Sequence, residues 1–383
     1  MLLNRPHYLQ QLSTALTRSP IVAILGPRQV GKTTLARLSI QQSGATYFDL
    51  ESPVDRQRLQ NPELVLGSLE GIVVIDEIQN IPQLFSVLKV LVDRPQNQAQ
   101  FLILGSASPH ILKNVSETLA GRVEFIELTG FDLSETGASE WRNLWVRGGF
   151  PRSYLAASDA DSEAWREGFI RTFLERDIPE LGISIPSIAM RRFWSMLAHY
   201  HGQIWNASEL ARGLGLSDKT VRSYLDILTG TYMVRQLQPW SVNLGKRQVK
   251  SPKIYLRDSG ILHSLLYLSD WQTLLGHPKV GASWEGFVIE QAIQLLALPE
   301  AYFWATHNGA EVDLVFFHRG KSDGIEVKFS ETPTVTRSMR GAVDELELTH
   351  LWVIHPGQHS YPLDEKITAW PAQQIAVLRE QLG

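Results

Sequence analysis

Lys32 and Thr33 close a short loop, Gly26-Pro27-Arg28-Gln29-Val30-Gly31, and Thr34 follows them. The two glycines let the backbone curl so that successive N–H groups point inward, an arrangement that suits a polyphosphate. At this spacing the lysine reaches the β- and γ-phosphates of a nucleotide, and the threonine hydroxyl suits Mg²⁺. Further along, Asp76 and Glu77 end the apolar run Ile72-Val73-Val74-Ile75. The first carboxylate is placed for the metal and the second to orient and deprotonate a water. Ser106 or Ser108, at the end of FLILGSAS, could hold that water or touch the γ-phosphate.

These groups need elements to carry them. Residues 21–25, IVAIL, read as a buried parallel strand, and TTLARLSIQQ as the helix that brings its positive N-terminal end to the phosphates. Residues 72–77 and 101–108 supply two more apolar strands, so the N-terminal region is expected to be an α/β fold around a parallel sheet. After a short helix, LAGRVEFIEL places Arg122 just before another apolar strand.

GPRQVGKTT, VVIDEIQ, LILGSAS and LAGRV, in this order and spacing, resemble the ATPase half of a bacterial and archaeal family of AAA-type ATPases with a C-terminal domain of unknown function, DUF4143. The motifs cover residues 1 to about 135. The resemblance implies ATP as substrate with Mg²⁺, and a homo-oligomer in which Arg122 acts as an arginine finger on a neighbour's nucleotide. WVRGGFPRSYLA is similar to the Gly-x-Pro element of related ATPases, which begins a helical lid against the adenine. Gly149 and Pro151 fit that element, and Arg152 could sense the γ-phosphate.

Residues 207–230 have the layout of a helix-turn-helix. Ala207, Leu210 and Ala211 share one face, Gly213 and Gly215 break the helix, and Ser217 suits the N-cap of the next. In that second helix Val221, Leu225 and Leu228 share a face, leaving Lys219 and Arg222 outward for a DNA groove. TYMVRQLQPW and PKIYLR then resemble the strands of a wing. Residues 203–260 hold nine Lys or Arg against four acids, and Lys246, Arg247, Lys250 and Lys253 cluster in the wing. Such a local patch suits DNA phosphates.

From about residue 280 the pattern returns to α/β. GASWEGFVIEQAIQLLA reads as a helix carrying Glu285 and Glu290, and EVDLVFFHR and DGIEVKFS as two strands joined by a polar turn. Asp313 starts one strand, and Glu326 and Lys328 share a face of the next. This D…E-x-K pattern resembles the PD-(D/E)XK nuclease fold. The resemblance implies a divalent ion on Asp313 and Glu326, Lys328 as charge stabiliser or water activator, and Glu290 completing the site.

A length of 383 residues exceeds a single core. The expected segments are an ATPase core at 1–135, a helical lid at 136–190, a winged helix-turn-helix at 191–265 and a restriction-endonuclease-like α/β domain at 266–383. The net charge of −4 gives no overall basic signal, so any DNA-binding surface is local. The absence of cysteine excludes disulfides, zinc ribbons and thiol catalysis. MLLNRPHYLQQL lacks the apolar centre of a secretory signal, and no run approaches the roughly 20 apolar residues that span a bilayer. A cytoplasmic protein without membrane contact is expected. Three functions fit the pattern: a DNA-engaging ATPase motor or remodeller acting on branched or single-stranded DNA, an ATP-gated Mg²⁺-dependent nuclease, and a STAND-type signalling ATPase that binds a protein partner.

Overall fold

The computed structural model describes residues 3–41, 44–106, 118–240, 249–306 and 309–382. They form two compact units, one of residues up to Gly130 with Gly230–Tyr232, the other of Phe131–Thr229 with Met233 onward. No helix among the described residues is long and apolar enough to cross a membrane.

The first unit is built on five parallel strands, β1 (Ile21–Gly26), β2 (Thr46–Asp49), β3 (Glu70–Asp76), β4 (Gln98–Ser106) and β5 (Val123–Glu127), in the order β2-β3-β4-β1-β5. All six residues of β1 are buried, as expected of a strand covered on both faces. Alternate residues go to opposite sides. Ile21, Ala23 and Leu25 join a core with Phe48, Ile75, Phe101 and Leu88, while Val22 and Ile24 join one with Leu12, Leu35, Val74 and Leu104. Register brings Gly26 beside Ser106, and Asp49 beside Asp76, so one edge of the sheet collects the strand ends. In parallel α/β sheets that edge is where ligands bind.

The second unit carries a mixed nine-stranded sheet in the order β13-β14-β12-β11-β10-β9-β7-β8-β6. Its strands are β6 (Gln203–Ile204), β7 (Val234–Pro239), β8 (Lys253–Leu256), β9 (Tyr302–Ala305), β10 (Glu311–His318), β11 (Lys321–Val327), β12 (His350–His355), β13 (Tyr361–Asp364) and β14 (Ile367–Pro371). β10 and β11 form the expected hairpin, and β7 and β8 pair antiparallel as a wing does. The segments expected at 136–190, 191–265 and 266–383 lie in this one unit, apart from Gly230–Tyr232. The physical link is parallel pairing of β7 with β9, Gln238 with Tyr302 and Pro239 with Phe303, which joins β7 and β8 to the strands of the C-terminal segment.

The helix-turn-helix consists of helices Ala207–Leu214 and Asp218–Gly230. Asn206 caps the first, Gly215 turns in the left-handed region at φ 69°, and Ser217 Oγ accepts the Thr220 N–H at the start of the second.

Candidate active site

The loop after β1 depends on its glycines in two different ways. A methyl group on Gly26 would stand 2.1 Å from the Leu128 carbonyl oxygen, so only glycine fits there. Gly31 adopts φ 101° and has nothing within 4 Å of where a Cβ would be, which leaves the backbone open to a ligand. Gln29 is also left-handed, at φ 62°, and Val30 is fully buried and anchors the loop to the core. Helix Lys32–Ile40 begins immediately after Gly31, presenting its free N–H groups at this point. Lys32 is buried, and its Nζ donates to the carbonyl oxygens of Gly26 at 3.1 Å and Pro27 at 2.8 Å. Thr34 faces outward.

Asp76, at the end of β3, is buried and gathers hydroxyls. Its Oδ2 accepts from Thr33 Oγ1 at 2.8 Å and from the Tyr47 hydroxyl at 2.5 Å, and its Oδ1 accepts the Glu77 N–H at 3.0 Å. Hard oxygens from Thr33 and Asp76 side by side fit a magnesium ion. Glu77 sits in the left-handed region at φ 54°, a conformation that costs a non-glycine residue energy and is often found at functional positions. Burial raises its pKa, opposed by the charge of Lys32. Gln79 Nε2 donates to its carboxylate. Tyr47 and Arg37, whose guanidinium lies 5.3 Å from the Tyr47 ring centre, are not flagged by any sequence motif. Only the β2–β3 register, Tyr47 against Val74, reveals that this tyrosine reaches the metal-side carboxylate.

Ser106 ends β4 level with Gly26, and Ser108 lies outside the described residues. Arg122 precedes β5, whose first residue pairs with Ile21 at the start of β1, so it stands at the sheet edge opposite Gly26. It forms a two-pronged ion pair with Asp93, both contacts 2.8 Å. Gly149, Pro151 and Arg152 belong to the second unit. There the Gly149 N–H donates to Asp258 at 2.7 Å, Pro151 opens a short helix, and Arg152 is exposed.

On the helix-turn-helix, Lys219 and Arg222 are exposed and Val221, Leu225 and Leu228 are buried, the expected division. Arg222 and Lys250 line one groove of about 560 Å³ together with Trp205, Ser208 and Glu209. Lys246 and Arg247 lie outside the described residues. Lys253 requires a correction. It is buried, and its ammonium contacts Glu285 at 3.2 Å, Asp313 at 3.3 Å and Glu311 at 3.5 Å, so it offers nothing to DNA. Burial alone would lower its pKa; the carboxylates of Asp313, Glu285 and Glu311 outweigh that and raise it.

Asp313 and Glu326 do come together, as neighbours across the β10–β11 hairpin. Asp313 Oδ2 accepts the Val327 N–H at 2.9 Å, and Lys328 Nζ donates to Glu326 Oε1 at 2.7 Å. Glu326 Oε2 is buried without a hydrogen-bond partner among the described residues. Burial, then the nearby Asp313, push Glu326 up to about 8, and the same causes push Glu285 up to about 7. Glu290 does not join them. Arg235 and Arg257 claim its carboxylate, and although burial works to raise its pKa, those two cations hold it at about 2. Glu285, more than a helical turn earlier, takes the place expected for Glu290. Among the described residues, no group of three acidic, histidine or cysteine side chains is arranged to hold a metal ion. Asp313 is held by Lys253 and the Val327 N–H, and Glu326 by Lys328, a division of the carboxylates that does not fit the shared divalent ion the nuclease resemblance implied.

Residues 18–137 match a family model described as an AAA domain, residues 138–272 a domain of unknown function (DUF8612), and residues 280–375 a domain of unknown function (DUF4143). The uncharacterized protein Rv2008c of Mycobacterium tuberculosis is 52% identical over 375 residues, covering 98% of this chain and 85% of that protein. Uncharacterized protein Mb2031c of Mycobacterium bovis matches to the same extent. Among solved structures, the Walker-type ATPase PABY2304 of Pyrococcus abyssi shares the fold, with a TM-score of 0.52 at 15% identity over 69% of this chain and 96% of that one. The P-loop sheet of the first unit and the match to an AAA domain agree on an ATPase. Identity of this degree along nearly the whole length then places the chain in the family of AAA-type P-loop ATPases that carry a C-terminal DUF4143 domain.

Proposed function

We propose that this ATPase works as a homo-oligomer that binds DNA through its helix-turn-helix face and couples ATP turnover to that binding. Exposed Lys219 and Arg222 on helix Asp218–Gly230, with exposed Lys250 in the stretch before β8, carry the DNA reading. In a chain of net charge −4, such a local cationic face suits contact with phosphates.

At the nucleotide site the residues divide the work. Backbone N–H groups from Arg28 to Thr34 cradle the phosphates. Lys32 exchanges the Gly26 and Pro27 carbonyls for the β- and γ-phosphate oxygens. Thr33 and Asp76 hold Mg²⁺, which when bound supplies positive charge to the phosphate oxygens. Glu77 orients the attacking water and takes its proton, and Ser106, which ends the strand beside Gly26, is the proposed second contact of that water. Arg122 neutralises charge developing at the γ-phosphate of another copy.

The test is phosphate release by the full chain with single-stranded, duplex and branched DNA. Stimulation by at least one form is expected. Equal rates with all three and without DNA would remove DNA from the function.

A further inference from the structure

Lys253 belongs by position to the helix-turn-helix region and by contact to the nuclease-like hairpin. As the first residue of β8 it pairs with Ile204 on β6 and Leu237 on β7. Its side chain passes the Phe303 ring, with Nζ 5.6 Å from the ring centre, and ends among carboxylates from a helix and a strand of the C-terminal segment. Glu285 comes from helix Val280–Leu295, and Glu311 and Asp313 from β10. An ammonium has three N–H groups, and here three carboxylates stand 3.2–3.5 Å from it. The Tyr255 hydroxyl donates to Glu285 from the same strand as Lys253, fixing the carboxylate on that side.

A D…E-x-K centre that uses a metal keeps its carboxylates converging on a position where a hard cation can be surrounded by oxygen. In this chain the carboxylates are already divided. Lys253 draws Asp313, Glu285 and Glu311 towards itself, and Lys328 takes Glu326. Asp313 has further committed its second oxygen to the Val327 N–H. A divalent ion entering here would meet a buried ammonium of like charge.

We propose that the nuclease-like centre of this family member is metal-free, with Lys253 as its resident cation. Its D…E-x-K residues, with Glu285 and Glu311, form a polar clamp that fastens β8 of the helix-turn-helix region to the β10 strand and the helix Val280–Leu295. The former catalytic position has become a joint. This excludes ATP-gated cleavage by Asp313, Glu326 and Lys328, whatever the DNA surface does.

Two measurements on the full chain test it. First, Mn²⁺ is titrated into nucleotide-free wild type and Asp313→Asn, and free Mn²⁺ is followed by its electron paramagnetic resonance signal. Identical binding curves are expected. One equivalent of Mn²⁺ held by wild type and released in Asp313→Asn overturns the proposal. Second, Lys253→Met replaces the ammonium by an apolar side chain of similar length. Its Tm is expected to fall by several degrees, and failure to fold counts as the same failure of the clamp. A Tm equal to that of wild type overturns it. The first measurement stands whether or not the Lys253 variant folds.

Discussion

Asp76 and Lys32 illustrate how much a single side chain can be asked to do. Lys32→Ala removes the buried ammonium of the phosphate loop, and nucleotide binding is expected to fall below detection in a fluorescent-nucleotide titration. Glu77→Gln keeps the Asp76 and Thr33 oxygens, so affinity should hold while phosphate release drops by a factor of about 10² or more. Unchanged turnover in that variant would take Glu77 out of the mechanism. Acid acts on the fold through another buried side chain. Trp145 Nε1 donates to Ser283 Oγ, Ser283 Oγ lies 2.7 Å from His263 Nε2, and His263 Nδ1 lies 3.0 Å from the Val146 carbonyl oxygen. The Val146 carbonyl can only accept, so Nδ1 carries the hydrogen and Nε2 must accept from the serine: the imidazole is neutral. Burial, joined by the like charges of Arg166 and His277, holds its pKa at about 3. In the unfolded chain it protonates below about 6.5. The unfolded state therefore binds more protons between those values, and stability falls as pH drops through that window, by about 2 kcal/mol at pH 5 for this one group. The drop in urea midpoint between pH 7 and pH 5 should be smaller in His263→Asn than in wild type. Glu285 and Glu326 titrate in the opposite sense but are present in both proteins, so the comparison cancels them.

At the scale of elements, legibility follows distance along the chain. The phosphate loop is legible because its chemistry is its local spacing, and β1 with the following helix can hardly be read otherwise. The helix pair Ala207–Leu214 and Asp218–Gly230 is equally plain, since Gly215, Ser217 and a buried face recurring at helical spacing are local signals. Lys253 misleads for the contrary reason. Beside Lys250 it looks like part of a basic strand, but its partners Glu285 and Asp313 lie 32 and 60 residues away. No local pattern reports such a pairing. Glu290 and Glu285 are both visible as helix acids, and the two lie five residues apart, about 140° around the helix, so only the packed sheet decides which one faces the hairpin. Replacing Lys219, Arg222 and Lys250 together by alanine is the test at this scale. DNA affinity should weaken by a similar factor for different sequences, and the log-log salt slope should flatten by up to about 0.9 for each duplex phosphate no longer neutralised. Unaltered affinity and slope would move the DNA surface elsewhere.

For the molecule as a whole, the two ends of β1 matter most. Gly26 and Arg122 stand at opposite edges of the same sheet, separated by roughly 16–20 Å of strand. An arginine so placed is too far along the strand to reach the loop of its own chain, and the proposed mechanism gives it the nucleotide of another copy. Arg122→Ala should depress hydrolysis with little change in nucleotide affinity, and mixing it with Lys32→Ala should restore part of the activity, because some interfaces then pair an intact loop with an intact arginine. Absence of rescue, with a monomer mass by light scattering at all concentrations, would sink the oligomer. The second unit has a consequence of another kind. The matched segments 138–272 and 280–375 are distinct as sequence, but β7 and β9 hydrogen-bond across them and Lys253 finds its counter-ions on the far side. A recombination event that exchanged one segment alone would strand an open strand edge and a buried, unmatched charge. Over evolutionary time these two segments are therefore expected to be inherited and discarded together, and a gene carrying 138–272 without 280–375 should show a substitution at the position of Lys253.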